Sequence, residues 1–207
     1  RVQGYSDHPR TGAWVAVADF PSLPPHCTMG GVVGCLGYVR APCTPHCGDR
    51  TVSYAYSASQ GTWRRAETTS HILLSQASAA VIGSKIYFAG GVQNAGSCCD
   101  FRSGNLDAYD VATHLWSKLP PETVVQYIAP AAELGGRLYV LGGDEEFDNL
   151  AQSLAQVFDP SAGWWSTAAP MISGQRGGAA VSLNGVLYMI GGGASPATAQ
   201  EVEAYVP

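Results

Sequence analysis

Charge is what this chain has least of. Asp, Glu, Lys and Arg make up only 13% of its 207 residues, with 11 Lys plus Arg against 16 Asp plus Glu and a formal net charge of −5. No basic run occurs. A nucleic-acid surface needs a concentrated positive field, so the composition argues against DNA or RNA as a partner. No stretch approaches 18 consecutive apolar residues, so the sequence offers no transmembrane helix. The first ten residues, RVQGYSDHPR, lack the apolar centre of a signal peptide, as a mature secreted chain would too. No Asn-x-Ser/Thr acceptor is present.

Catalytic signatures are missing as well. There is no G-x-S-x-G, no H-E-x-x-H and no phosphate loop. No nucleophile–base pair is legible, so no catalytic residue and no cofactor are expected. What the chain has in quantity is apolar residues at 46%, 25 glycines and 13 prolines. That composition supports a sizeable core built from short elements and many tight turns.

The organisation is a repeat. AAVIGSKIYFAGG (79–91) returns as LGGRLYVLGG (134–143) and LNGVLYMIGG (183–192), and in worn form as VGCLGYVRAP (33–42). Their tyrosines, Tyr38, Tyr87, Tyr139 and Tyr188, are spaced 49, 52 and 49 apart. A second landmark keeps the same period. YSASQGTW (56–63), YDVATHLW (109–116) and FDPSAGWW (158–165) each place an aromatic seven positions before a Trp, and Trp14, Trp63, Trp116 and Trp165 are spaced 49, 53 and 49 apart. Each unit reads as four short strands, a to d. In the second unit these fall near 77–82, 85–89, 105–110 and 115–118. Gly83-Ser84 turns strand a into strand b, and Gly90-Gly91 ends strand b, where a Cβ finds no room or a positive φ is required. A four-stranded sheet of 50 residues cannot bury both faces alone, but stacking such sheets around an axis can. The fold class expected is all-β, a β-propeller of four antiparallel blades.

These landmarks resemble the kelch repeat, a hydrophobic strand, a Gly pair, then spaced Tyr and Trp. The residues that carry the resemblance are Gly90 and Gly91 with Tyr109 and Trp116, Gly142 and Gly143 with Phe158 and Trp165, and Gly191 and Gly192 with Tyr205. The first unit departs from it, with Ala41-Pro42 in place of the Gly pair. The repeats run approximately over 26–69, 70–122, 123–171 and 172–207 in a single domain. The last ends in strand c with no Trp after Tyr205, and residues 1–20, which carry Trp14, are expected to supply its closing strand. A closed four-bladed ring is favoured over a piece of a larger propeller, whose missing blades a second chain could provide.

In a propeller the b–c and d–a loops emerge on one face. Cys27, Cys43, Cys47, Cys98 and Cys99 fall there, and Cys35 falls in an a–b turn on the other. The five admit three readings: a disulfide between the two b–c loops in an oxidising or extracellular compartment, free thiols in a reduced one, or a metal held by Cys43, His46 and Cys47 with His26 and Cys27 nearby. The same face carries His71, Arg176 and the acidic loop Asp144, Glu145, Glu146 and Asp148, with Phe147 among them. The resemblance implies a face that binds partner peptides, with Arg176 meeting an acidic partner. Loops that vary on a rigid scaffold suit recognition. A protein-interaction module is therefore expected, using Arg176, Phe147, Asp144, Glu145, Glu146 and His71. Some kelch-type propellers are enzymes, so the alternative is a carbohydrate-active or sugar-binding propeller with His71, Glu145 and Arg176 lining a pocket.

Overall fold

A computed structural model describes residues 3–5, 14–16, 18–19, 21, 29–42, 51–69, 76–94, 100–144, 150–193 and 200–207. The chain is all-β. Two short strands, β1 (Gln3–Tyr5) and β2 (Trp14–Ala16), precede the first full sheet. That sheet comprises β3 (Met29–Val33), β4 (Leu36–Pro42), β5 (Thr51–Ser57) and β6 (Thr62–Thr69). The second contains β7 (Ser78–Ile82), β8 (Lys85–Ala89), β11 (Leu106–Asp110) and β12 (Leu115–Leu119), with a small hairpin of β9 (Val92–Asn94) and β10 (Asp100–Arg102) in its b–c loop. The third is β13 (Ala131–Leu134), β14 (Arg137–Leu141), β15 (Ala155–Asp159) and β16 (Trp164–Thr167). The fourth has β17 (Ala179–Leu183), β18 (Val186–Ile190) and β19 (Val202–Tyr205).

Every sheet is an antiparallel meander in sequence order. The a–b turns use Gly34, Gly83, Gly135-Gly136 and Asn184-Gly185, all at positive φ. The c–d turns are fastened by the side chain that opens them. Asp110 Oδ1 accepts from the Ala112 and Thr113 amides, Asp159 Oδ1 from those of Ser161 and Ala162, and Ser57 Oγ from that of Gln60. This is the local bonding that makes Asp and Ser good turn initiators. The register then sets the aromatic opposite the Trp: Tyr56 across from Trp63, Tyr109 from Trp116, Phe158 from Trp165. Where the first repeat lacks its Gly pair, β4 simply runs on through Ala41 and Pro42.

The sheets are the blades of a four-bladed propeller. Their innermost strands pack in succession, β3 on β7, β7 on β13 and β13 on β17. The core lies between blades. Tyr38, Ala55, Ile86, Phe88 and Tyr109 join the first to the second. Ala80, Tyr87, Leu106, Leu138, Val140 and Phe158 join the second to the third. Leu134, Tyr139, Leu141, Val157, Leu187 and Met189 join the third to the fourth. The far side of the fourth blade is different. Leu183 is 60% exposed where its counterpart Leu134 is 8%, and Ile190 is 43% exposed where Leu141 is 4%. Residues 1–20, expected to close the fourth blade, contribute β1 and β2, which pair with each other, Tyr5 opposite Trp14. Among the described residues β19 has β18 as its one neighbour, and its other edge is open.

Candidate functional site

The glycine pairs build the loop face. Gly90, Gly142 and Gly191 sit at φ of 66, 62 and 64°, a region that Cβ-bearing residues rarely adopt. In the two inner blades space is also denied: a Cβ on Gly90 would lie 2.2 Å from Gln126 O, and one on Gly142 would lie 2.1 Å from Gln175 O. Both reasons anticipated for these glycines therefore hold. The d–a loop of the next blade crosses directly over the pair. There it is tied down, since Gly91 N–H donates to Gln126 O and Gly143 N–H to Gln175 O. A further line of backbone bonds links the loops to one another, Ile128 N–H to Gln76 O (3.1 Å) and Gly177 N–H to Ile128 O (2.7 Å).

Side chains clamp these loops from below. Gln156, fully buried on strand c, accepts from Thr123 Oγ1 (2.6 Å) and the Val124 amide (3.0 Å), and donates to Val124 O (2.7 Å) and Gln126 Oε1 (2.6 Å). Gln126 in turn donates to Gly142 O. One repeat later Glu203 takes the position of Gln156. It accepts from the Ile172 and Ser173 amides, Ser173 Oγ and Gln175 Nε2. Burial pushes the Glu203 carboxyl up, but these donors outweigh it and hold the group below its ordinary value.

On this platform Asp144 and Arg176 meet. Asp144 follows Gly142-Gly143 and is fully buried, so its carboxylate faces the protein and not solvent. Its Oδ2 accepts from Arg176 Nη1 at 2.7 Å, while the Arg176 side chain is 23% exposed. Its backbone exchanges hydrogen bonds with Tyr127. Burial, then the Asp144 charge and hydrogen bond, push the Tyr127 hydroxyl up, opposed by Arg102 and Arg176. A buried carboxylate thus holds a guanidinium at the surface in one orientation, next to a tyrosine and a second, exposed arginine.

Two residues expected to share the face, Asp144 and Arg176, are brought together as partners of each other. His71, Glu145, Glu146, Phe147 and Asp148 lie outside the described residues, as do His26, His46, Cys27, Cys43, Cys47, Cys98 and Cys99. Cys35 is a free, exposed thiol in its a–b turn. Among the described residues no group of three His, Cys, Asp or Glu could hold a metal ion.

Sequence reasoning missed Glu122. It sits in the d–a loop between β12 and β13, buried, and burial pushes its carboxyl up to about 8 against one hydrogen bond from the Gln126 amide. Its Oε1 has no hydrogen-bond partner among the described residues. The repeat held the signal. Aligned on the tryptophans, Glu122 corresponds to Met171, and the two side chains cover Gly90 and Gly142 alike.

A family model described as the Kelch motif matches residues 73–121. The chain is 33% identical over 122 residues to human Kelch-like protein 25, a span of 56% of this chain and 20% of that protein. It is 33% identical over 90 residues to an F-box/kelch-repeat protein of Arabidopsis thaliana, covering 44% of this chain and 24% of the relative. It is 38% identical over 66 residues to zebrafish Kelch-like protein 21, covering 32% and 11%. The chain spans about a fifth of the length of Kelch-like protein 25. Among solved structures, that of YjhT superposes with a TM-score of 0.70 at 17% identity, over 92% of this chain and 68% of the other, a likeness of fold. With the repeated blades and their glycine and tryptophan landmarks, the Kelch motif match and the Kelch-like relatives support a kelch-repeat family for this β-propeller.

Proposed function

We propose that this propeller is a non-catalytic protein-interaction module whose partner docks on the face formed by the b–c and d–a loops. The observation that carries the reading is Arg176, held at the surface by buried Asp144 within a loop platform pinned from beneath. A guanidinium fixed this way loses little freedom when it meets a carboxylate, so it suits an acidic partner segment. Arg102 on β10 adds a second positive group to the same face. The kelch-like relatives support a protein partner, and the variable loops, with Phe147 in the third, supply the remaining contact surface. Asp144 acts as the positioning residue for Arg176.

The test is quantitative capture of partners from the source tissue by wild-type protein and by the Arg176→Ala, Phe147→Ala double variant. Partners that bind the wild type should lose tenfold or more in affinity for the double variant, with an Arg176→Lys protein intermediate. Equal recovery by all three proteins would overturn the assignment.

A further inference from the structure

The strand-c clamps of the third and fourth blades differ in one residue, and the difference leaves polar atoms unmatched. In the third blade the Gln126 amide is satisfied at both ends, Nε2 donating to Gly142 O and Oε1 accepting from Gln156 Nε2. One repeat later Gln175 and Glu203 stand in the places of Gln126 and Gln156. As a carboxylate, Glu203 can only accept. Gln175 turns its Nε2 toward it, 3.0 Å from Glu203 Oε1 and 3.2 Å from Ser173 Oγ. Its Oε1 is left with no partner in a side chain that is 0% exposed. A half-turn of the amide gives no relief, because it sets Oε1 against the Glu203 carboxylate, acceptor on acceptor.

Ser173 meets the same difficulty. Its Oγ lies 2.7 Å from Glu203 Oε1 and also against Glu201 Oε2. One hydroxyl proton serves one carboxylate, so the other pair of oxygens closes without it. A proton on Glu203 would satisfy Gln175 in its turned form. The Ile172 and Ser173 amides, at 2.7 and 3.0 Å, oppose that by favouring the ionised carboxylate. What the cluster lacks is a positive centre.

We infer that Glu201, Glu203, Ser173 and Gln175 form a binding site for a divalent cation, calcium by the character of its donors. Two carboxylates, a hydroxyl and an amide oxygen are all hard oxygen ligands, the kind calcium takes at about 2.3–2.6 Å, with water in the remaining positions. Separations of 2.7, 3.0 and 3.2 Å among the Glu203, Ser173 and Gln175 atoms suit neighbouring ligands of one such ion. With the ion bound, Gln175 turns its Oε1 inward and frees Nε2 for Gly191 O, the counterpart of Gly142 O. The ion then fastens the 172–175 loop to the Glu201–Glu203 segment. In the third blade Gln156 ties down the 123–126 loop by hydrogen bonds alone.

The test is titration of the full chain, stripped of metal by a chelator, with calcium chloride in a calorimeter. One equivalent should bind, with an affinity of about 0.1–1 mM for a two-carboxylate site at the surface. Glu203→Gln writes the third blade's clamp into the fourth, so the loop stays tied while a ligand charge is removed. Glu201→Gln removes the other carboxylate and leaves the Glu203 clamp in place. Each should weaken calcium binding tenfold or more, with circular dichroism confirming the fold. In thermal unfolding, calcium should raise the midpoint of the wild type and leave that of Glu203→Gln unchanged. Absence of binding at millimolar calcium overturns the inference. Binding undiminished in both variants overturns it in favour of another site, such as the acidic stretch 144–148. A midpoint that rises as pH falls and ignores calcium overturns it in favour of a proton held between the carboxylates.

Discussion

Glu122 and Met171 occupy equivalent seats over Gly90 and Gly142, and chemistry separates them. In water a carboxyl ionises near 4.5, but in the folded chain burial moves Glu122 to about 8. Between those values the folded state keeps a proton that the unfolded state releases, so its contribution is fully present below about 4.5 and is lost as pH rises through 8. Glu122→Met copies the neighbouring repeat and removes that loss. Urea denaturation of the variant against wild type should show a gain of about 1–3 kcal/mol at pH 8 that shrinks toward zero by pH 4.5. A difference constant with pH would refute the assignment. The glycine pairs give a second contrast. Gly142→Ala meets both the Gln175 carbonyl and a φ of 62°, and should cost about 3 kcal/mol or more. Gly135→Ala, at a φ of 60° with open space around it, should cost about 1 kcal/mol.

At the scale of elements, the repeat made strands legible and left the polar clamps hidden. Strand positions follow from landmarks spaced along one chain, so b, c and d strands were readable from Tyr87, Gly90-Gly91, Tyr109 and Trp116 to within a residue or two. The β9–β10 hairpin gave no such signal, since three residues per strand carry no period. The Gln156–Gln126 and Glu203–Gln175 contacts are made 30 and 28 residues apart, and only the crossing of loops over glycines brings them together. They can be tested as units. Gln156→Leu removes the acceptor and donor for the 123–126 loop while keeping its volume, leaving the Val124 amide and carbonyl without that partner. It should cost about 2–3 kcal/mol in thermal or urea unfolding. The exposed ion pair of Arg137 with Asp159 is different. Its loss in Arg137→Ala should leave the urea midpoint unchanged within error, because solvent screens it.

Across the whole molecule the candidate site was half visible from the sequence. That Arg176 and Asp144 share a face followed from loop order, because in an antiparallel meander alternate loops emerge together. That they bond each other did not, since it depends on Asp144 turning inward after Gly143. The cavity lined by Tyr139, Leu187 and Tyr205 was hidden too, since it forms only when the third and fourth blades are packed. Blades that touch mainly their neighbours give stability as a sum of sheets and seams, so the ends should open before the middle. Amide exchange should be slowest in β8, β11, β14 and β15, whose residues are mostly buried, and faster in β17 and β19.

The tryptophans set opposite Tyr56, Tyr109 and Phe158 also equip the propeller with its own optics. Trp63, Trp116 and Trp165 are each half-buried and each reports from a different blade, whereas Trp164 is exposed. Variants that keep one of the three and replace the other four of the chain's five tryptophans, Trp14 and Trp164 included, with Phe would make the emission wavelength a gauge of one blade at a time. On heating, three such gauges read in parallel would trace the order in which the sheets come apart.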